Sequence, residues 1–213
     1  MKHSTTARRR YSTHLYRGLA IVFVLPGLAI GQDLDAGVEQ YRALNFVEAE
    51  KTLRQVCERE PENASAHEYL GLTLAELKRA DEAEAEINQA AEVGLAEDRV
   101  KVGLARVAIE RRDVEGASRL LEEAHAVNPE NADAYHYRGM VRTKARNFGE
   151  AIADFDRALE LNPANAYSHY YAGIAYNGMK QRDKMVEHFQ VFVEMAPNSP
   201  EAGKLQSLLR AFR

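Results

Sequence analysis

The sequence predicts an all-α protein, a right-handed α-solenoid of about five 34-residue helix–turn–helix repeats that ends in a C-terminal capping helix. Three observations predict this fold. Small residues and prolines recur every 34 residues, each period holds two stretches with helical spacing of apolar residues, and an amphipathic segment ends the chain. The 213 residues are 46% hydrophobic and 28% charged, which is typical of a folded domain and not of a disordered chain.

The 34-residue period appears in five sets of positions that share one register without insertions. Prolines and glycines form the two clearest sets, which are interrupted at Leu95 and Ala105. Alanine, a large apolar residue and asparagine form the other three. The members are Pro61, Pro129, Pro163 and Pro197; Gly37, Gly71, Gly139 and Gly173; Ala49, Ala83, Ala117 and Ala151; Leu53, Ile87, Leu121, Phe155 and Phe189; and Asn63, Asn131 and Asn165.

One period shows the two helices most clearly. Residues 132–145 and 148–161 are separated by the polar pair Arg146-Asn147, which predicts a turn. In the second segment apolar residues recur at intervals of three and four, which gives the helix one apolar face. Pro163 ends this helix because proline disfavours the helical conformation in the residue before it. Asn165 can then cap the next helix with its side-chain oxygen.

These features resemble the tetratricopeptide repeat, a helix–turn–helix unit of 34 residues. The fourth repeat carries the family pattern in Tyr135, Gly139, Ala151, Phe155, Ala158 and Pro163. The resemblance covers about residues 33–199, with repeats at about 33–63, 64–97, 98–131, 132–165 and 166–199. The first repeat is the weakest because Asp33 stands where the family has a large residue, and in the second Gly94 offers a helix stop in place of the missing proline.

Residues 200–213 are predicted to form the capping helix of the array. Ser199 can cap it, Pro200 suits its first turn, and its leucines form an apolar stripe that would cover the last repeat.

The first 31 residues predict a secretory signal peptide of bacterial type, exported by the Sec route. They contain five basic residues and no acidic one, and the uncharged run 18–31 would form a helix of about 21 Å. This length is short of the hydrocarbon core of roughly 30 Å. Cleavage is expected before Gln32, or alternatively after Ala29. The expected location is the periplasm or the cell exterior, and an uncleaved membrane anchor is the alternative.

The composition argues against several classes of function. Residues 32–213 hold 23 Lys and Arg against 32 Asp and Glu, a net charge of −9, which argues against nucleic acid or an anionic membrane surface as a partner. A membrane contact is expected only through an uncleaved N-terminus. The sequence has no phosphate-binding loop, His-Glu-x-x-His or Gly-x-Ser-x-Gly motif, so we expect no catalytic residues, cofactor or metal site.

Isolated cysteine and histidine residues receive structural interpretations. Cys57 is the only cysteine, which excludes an internal disulfide framework and a cysteine-cluster zinc site. It falls on an apolar helix face and is expected to be a buried, inert thiol. His67 and His169 occupy the repeat position of a large packing residue, so packing is the expectation for both.

Stacked helix pairs form an extended concave face, and the resemblance implies that the first helix of each repeat lines it and that partners bind there. The predicted partner-binding residues are Tyr41, Tyr69, Arg99, Arg106, His136, Tyr137, Lys144, Tyr167, Tyr170, Tyr171 and Asn177. Six of the ten tyrosines fall on this face, and tyrosine is favoured at recognition surfaces.

The tyrosines at 167, 170 and 171 are therefore a candidate peptide-binding patch, with packing against the neighbouring repeat or the final helix as the alternative. The family's carboxylate clamp for acidic chaperone tails is not matched, because Arg99 lacks the partner residues of that motif.

The leading hypothesis is a non-enzymatic, exported scaffold or co-chaperone that binds a peptide segment of an envelope protein in the concave groove. The alternative is a regulatory or targeting subunit of a membrane-associated enzyme or of a secretion or pilus complex. The sequence predicts a protein or peptide partner without identifying it.

Overall fold

The computed structural model describes residues 26–211, and side chains from residue 33 onward. These residues form eleven α-helices and no strand, which confirms the predicted all-α fold. The helices are α1 (Pro26–Arg42), α2 (Phe46–Arg59), α3 (Ala64–Glu76), α4 (Ala80–Glu92), α5 (Glu97–Glu110), α6 (Val114–Val127), α7 (Ala132–Lys144), α8 (Phe148–Leu161), α9 (Ala166–Gly178), α10 (Arg182–Met195) and α11 (Ala202–Arg210). The segments predicted at 132–145 and 148–161 are α7 and α8.

The helices pack as five consecutive hairpins, from α1 with α2 to α9 with α10. Each odd-numbered helix from α1 to α7 also packs closely on the next odd-numbered helix, whereas the backbones of the even-numbered helices of the described chain stay farther apart and are linked through side chains, as Arg54 of α2 is to Glu82 of α4. The odd-numbered helices therefore form the inner wall of a curved stack and the even-numbered helices form its outer wall. This is the predicted solenoid, and its curvature creates the concave face.

The tightest packing within a hairpin joins two of the repeated positions. A Cβ atom on any of four inner-wall glycines would lie between 2.5 and 2.8 Å from a large side chain of the following helix. The pairs are Gly37 with Leu53, Gly71 with Ile87, Gly139 with Phe155 and Gly173 with Phe189. The third hairpin has Ala105 in the glycine position, opposite Leu121, and both are fully buried. The small residues and the large residues that recur every 34 positions are therefore partners in the same contact, which is repeated in each hairpin.

The turn inside each hairpin contains a residue with left-handed backbone conformation. These residues have φ between 60° and 66° and follow the 34-residue spacing: Leu44, Lys78, Arg112, Arg146 and Lys180. Glycine usually occupies this conformation because a Cβ atom is disfavoured there by about 1–2 kcal/mol. Each turn is therefore locally strained, and the packing of its two helices holds it in place.

Side-chain caps begin most of the inner-wall helices that follow a loop. Asn63, Asn131 and Asn165 accept hydrogen bonds from backbone N–H groups of α3, α7 and α9. The third hairpin differs because α5 has no side-chain cap. There α4 ends at Glu92, and Gly94 supplies the helix stop with φ 99°.

The last helix packs against α10 and buries Leu205 and Leu209 beside Phe192, as expected of a capping helix. Its start differs from the prediction. Ser199 Oγ accepts a hydrogen bond from the backbone N–H of Ala202 at 3.2 Å, but α11 begins only at Ala202. Pro200 therefore lies in the turn before the helix and not in its first turn.

The first 25 residues of the predicted signal peptide lie outside the described residues. Helix α1 begins at Pro26 and runs through both predicted cleavage positions. Within residues 26–211, none of the helices is both long and apolar enough to cross a membrane.

We expect Gly139→Val to lower the free energy of unfolding by about 1–3 kcal/mol, because its side chain would collide with Phe155. The matched control is Gly149→Val, since an added Cβ at Gly149 has no atom within 4 Å. Its effect should stay within about 0.5 kcal/mol. Urea denaturation followed by circular dichroism measures both, and equal losses in the two variants would show that the contact is not the tight point of the hairpin.

Candidate functional site

The inner wall of the solenoid is the candidate site, and it is called the groove below. It is formed by the face of α1, α3, α5, α7 and α9 that carries the predicted residues. The structure places Tyr41 on α1, Tyr69 on α3, Arg99 and Arg106 on α5, His136, Tyr137 and Lys144 on α7, and Tyr167, Tyr170, Tyr171 and Asn177 on α9.

Tyrosine side chains from distant repeats meet in the N-terminal part of the groove. The rings of Tyr41 and Tyr69 are edge to face, with centroids 5.7 Å apart. The hydroxyl groups of Tyr41 and Tyr137 interact across the groove, and burial raises the pKa of both. Because α1 and α7 do not pack against each other, this contact shows that the groove is narrow enough for side chains from the first and fourth repeats to touch.

A buried ion pair lies beside these tyrosines. Arg106 is 4% exposed, and its Nε donates to Glu76 Oε1 at 2.9 Å, while Nη1 lies 3.4 Å from Glu110 Oε2. Burial by itself lowers the pKa of Arg106, but Glu76 more than compensates and the net shift is upward. The guanidinium therefore remains charged, and its charge is largely neutralised within the protein.

The second predicted arginine of α5 is also paired. Arg99 Nε donates to Glu68 Oε1 at 2.8 Å, and its Nη2 contacts the other carboxylate oxygen. Burial raises the pKa of Glu68, and Arg99 opposes this shift. In this pair, as in the pair of Arg106 with Glu76, a carboxylate of the groove compensates the charge of the arginine.

The tyrosines of α9 form one continuous aromatic cluster, called the α9 cluster below. Tyr171 stacks on Phe155 of the preceding repeat, with an interplanar angle of 16°. Tyr167 and Tyr170 both pack on Phe192 of α10, at centroid distances of 5.5 and 5.1 Å. All three tyrosines remain half-buried, so the cluster packs internally and still presents surface to the groove.

The α9 cluster also contacts the C-terminal segment. The hydroxyl of Tyr167 donates to Glu201 Oε2 at 3.1 Å, just before α11. Part of this ring is therefore used for internal packing, as the alternative interpretation of the sequence anticipates.

Three other predicted residues differ widely in accessibility. His136 is 6% exposed, and its Nδ1 lies 2.9 Å from Ser168 Oγ, so it offers little surface to a partner. Burial lowers its pKa to about 3, and the ring is neutral at physiological pH. Lys144 and Asn177 are exposed near the ends of their helices.

Glu76 is the groove residue that the sequence analysis missed. It lies about two helical turns beyond the predicted Tyr69, on the same inner-wall helix. The available signal was the repeat position itself, because Glu110 and Lys144 follow Glu76 at the 34-residue spacing and Lys144 was predicted.

The fold and the groove define the class of this protein, a helical-repeat solenoid that presents an extended inner surface to other macromolecules. Models of the tetratricopeptide repeat match residues 34–98, 132–165 and 167–199, which together make up more than half of the chain. The chain belongs to the tetratricopeptide repeat family, and its fold is that of a scaffold for protein or peptide partners. No curated protein matches the chain.

Several solved structures are similar in fold. TTC0263 of Thermus thermophilus is 18% identical with a TM-score of 0.69, over 85% of this chain and 97% of its own. Pseudomonas aeruginosa pilF is 19% identical with a TM-score of 0.56, over 87% of this chain and 85% of its own. YrrB, a protein with an unusual peptide-binding site, is 19% identical with a TM-score of 0.50, over 85% of this chain and 97% of its own. These likenesses support the fold alone.

We expect acidification to destabilise the protein through His136. Its folded-state pKa of about 3 lies below the usual value near 6.5, so between these values the unfolded chain binds a proton that the folded chain does not. The free energy of unfolding should therefore fall as the pH falls through this window, by up to about 1.4 kcal/mol per pH unit from this group.

The measurement is chemical denaturation of the wild type and of His136→Asn across this window. Asparagine keeps a polar group near the Ser168 hydroxyl and does not titrate, so the variant should lose less stability on acidification. Parallel pH dependences in the two proteins would show that His136 is not the responsible group.

Proposed function

We propose that this protein is a non-enzymatic, exported scaffold or co-chaperone that binds a peptide segment of an envelope protein in its groove. The observation that carries the proposal is the α9 cluster, whose three half-buried tyrosines line the inner wall. Tyrosine rings offer apolar area with a hydrogen-bonding tip, and they are often the residues that dominate binding energy.

The ion pairs of the groove indicate which kind of peptide it favours. Arg99 and Arg106 are already bound by Glu68 and Glu76, so an acidic peptide would have to compete with these carboxylates. Breaking such a pair leaves a charge without its partner, which is costly in a partly buried site. The groove therefore favours a segment recognised through apolar and aromatic side chains, rather than an acidic tail.

By analogy with YrrB, we take the partner to be a peptide. That protein is described as having an unusual peptide-binding site, and it shares the repeat architecture over most of both chains. The envelope location rests on the signal peptide predicted from residues 1–31.

We expect the double variant Tyr170→Ala and Tyr171→Ala to weaken peptide binding by at least about 30-fold, because truncating even one aromatic hot-spot residue costs roughly 2 kcal/mol or more. The wild-type full-length chain first captures its partner from an envelope extract, and mass spectrometry identifies it. Synthetic segments of that partner are then titrated by fluorescence anisotropy against the wild type and the variants.

The matched control is Tyr135→Ala, since Tyr135 lies on α7 outside the groove and its hydroxyl donates to the Pro129 carbonyl. Tyr170→Phe and Tyr171→Phe keep the rings that pack on Phe192 and Phe155, and they guard against loss of binding through unfolding. If the double variant keeps its helical circular dichroism and binds with wild-type affinity, the α9 cluster is not the binding surface.

The export part of the proposal predicts a shortened mature chain. N-terminal sequencing of the protein isolated from the envelope fraction should begin at Gln32, or at Ile30 if cleavage follows Ala29. A chain that keeps its first residues and fractionates with membranes would indicate an uncleaved anchor, and one found in the cytoplasm would contradict export.

A further inference from the structure

A second group of chemically active side chains lies where α2, α3 and α4 meet, and none of its members belongs to the groove. It consists of Cys57 on α2, His67 on α3 and Glu86 on α4. One potential ligand atom from each residue lies within 4.8 Å of the other two. His67 is 8% exposed, and Cys57 and Glu86 are half-buried.

The hydrogen bonds of His67 restrict what can lie between it and Glu86. Its Nε2 is 3.0 Å from the carbonyl oxygen of Pro61, which can only accept, so Nε2 carries a hydrogen and donates it. Its Nδ1 then faces Glu86 Oε2 at 2.7 Å. Two acceptor atoms at this distance require either a hydrogen shared between the imidazole and the carboxyl group, or a metal ion bound by both.

The arrangement around His67 is the one that metal-ligating histidines commonly have. Such a histidine donates its second ring N–H to a backbone carbonyl or a carboxylate, which fixes the tautomer and aims the other nitrogen at the metal. The Pro61 carbonyl performs this role for Nε2 and leaves Nδ1 directed at Glu86.

The donor set and its size also suit a small divalent ion. Thiolate, imidazole and carboxylate are all ligands of zinc, with bonds of about 2.0–2.3 Å in a tetrahedron. Neighbouring ligands of such an ion are about 3.5 Å apart, so His67 Nδ1 and Glu86 Oε2, which lie 2.7 Å apart, would separate by about 0.8 Å. The sulfur, which lies within 4.8 Å of both, would approach by up to about 1 Å. Rotation of the Cys57 and Glu86 side chains, neither of which is fully buried, can supply this movement.

We propose that Cys57, His67 and Glu86 bind one divalent transition-metal ion of the zinc type, with water as the fourth ligand. The ion would join α2 of the first repeat to both helices of the second and stabilise the N-terminal end of the array. This differs from the sequence-based expectation of no metal site, because the cluster forms only when three helices pack together. It does not depend on the proposed peptide function.

The cluster is not a site that activates Cys57 as a nucleophile. Burial raises the pKa of the Cys57 thiol to about 12, and Glu86 adds to this shift, so the metal-free protein holds a protonated and unreactive thiol. A bound cation would remove this proton and form the thiolate ligand.

The fifth repeat provides an internal comparison. His169 and His188 occupy the positions of His67 and Glu86, with their Nδ1 atoms 3.1 Å apart. Leu159 stands in the position of Cys57, so this site has no sulfur ligand. A variant of His169 is therefore a matched control. It tests whether the metal ion binds to histidine side chains at a site that has no cysteine.

The test titrates the metal-free, untagged full-length chain with Co²⁺ under anaerobic conditions. We expect one Co²⁺ per chain, a thiolate-to-cobalt charge-transfer band in the near ultraviolet, and intense visible bands of a four-coordinate ion. Because Cys57 is the only cysteine, this charge-transfer band can come from no other residue. Zn²⁺ should displace Co²⁺ and raise the melting temperature of the wild type.

Cys57→Ser should abolish the charge-transfer band and the Zn²⁺-dependent rise in melting temperature, while His169→Gln should leave both unchanged. Glu86→Gln and His67→Gln should each weaken Co²⁺ binding by at least about tenfold. Cys57→Ser and Glu86→Gln are nearly isosteric, so they can be tested even if His67→Gln fails to fold.

Three results would overturn the proposal. The first is the absence of a thiolate band in the wild type, which would leave a simple hydrogen bond between His67 and Glu86 as the structure of the cluster. The second is wild-type affinity in Glu86→Gln, which would reduce the site to a cysteine that binds metal without the cluster. The third is one Co²⁺ for every two chains together with dimerisation, which would show a thiolate site between molecules.

Discussion

The structure depends on one close contact, in which a large side chain of an outer-wall helix fills the space beside a small residue of an inner-wall helix. In the second hairpin this contact joins Ile87 to Gly71, and Ile87 is fully buried. The same side chain also fills the space beside Gly103, on the inner-wall helix of the next hairpin. One residue therefore fixes both the angle within a hairpin and its stacking on the following one. Repetition of this geometry produces the regular curvature from which the groove follows.

Sequence patterns predict this contact well because each of its two residues can be recognised from a short stretch of sequence around it. The 34-residue spacing of small and large residues, the apolar stripes and the asparagine caps each depend on a few neighbouring positions. The third hairpin shows how robust this is, since it has alanine in place of the repeated glycine and follows a loop with Leu95 in place of the repeated proline, and it still folds alike. Ala105 and Leu121 preserve its packing. Near its start, Asp98 accepts hydrogen bonds from Asn128 and Asn131, which link the beginnings of α5 and α7.

The left-handed turns and the interior of the groove are harder to predict, for different physical reasons. The turn residues are leucine, lysine and arginine, so no glycine marks them, although Arg146 falls in the turn that the sequence predicts at Arg146-Asn147. The Tyr41–Tyr137 contact joins residues far apart in the chain, and it exists only because the curvature brings α1 opposite α7. Small changes in angle at each hairpin accumulate along a stack, so no single segment determines which side chains meet across it.

The ion pairs of the groove constrain how its function can change. A buried pair such as Arg106–Glu76 contributes little net stability, because the free energy of desolvating both charges offsets their attraction. Removing only Glu76 would nevertheless leave a guanidinium that is 4% exposed without its main partner, at a cost of about 3–5 kcal/mol. A charge substitution at the centre of the groove would therefore destabilise the fold at the same time as it changed binding. The tyrosines of the α9 cluster are only half-buried and keep their packing when just the hydroxyl is removed, so they are the positions at which recognition can vary independently of the scaffold.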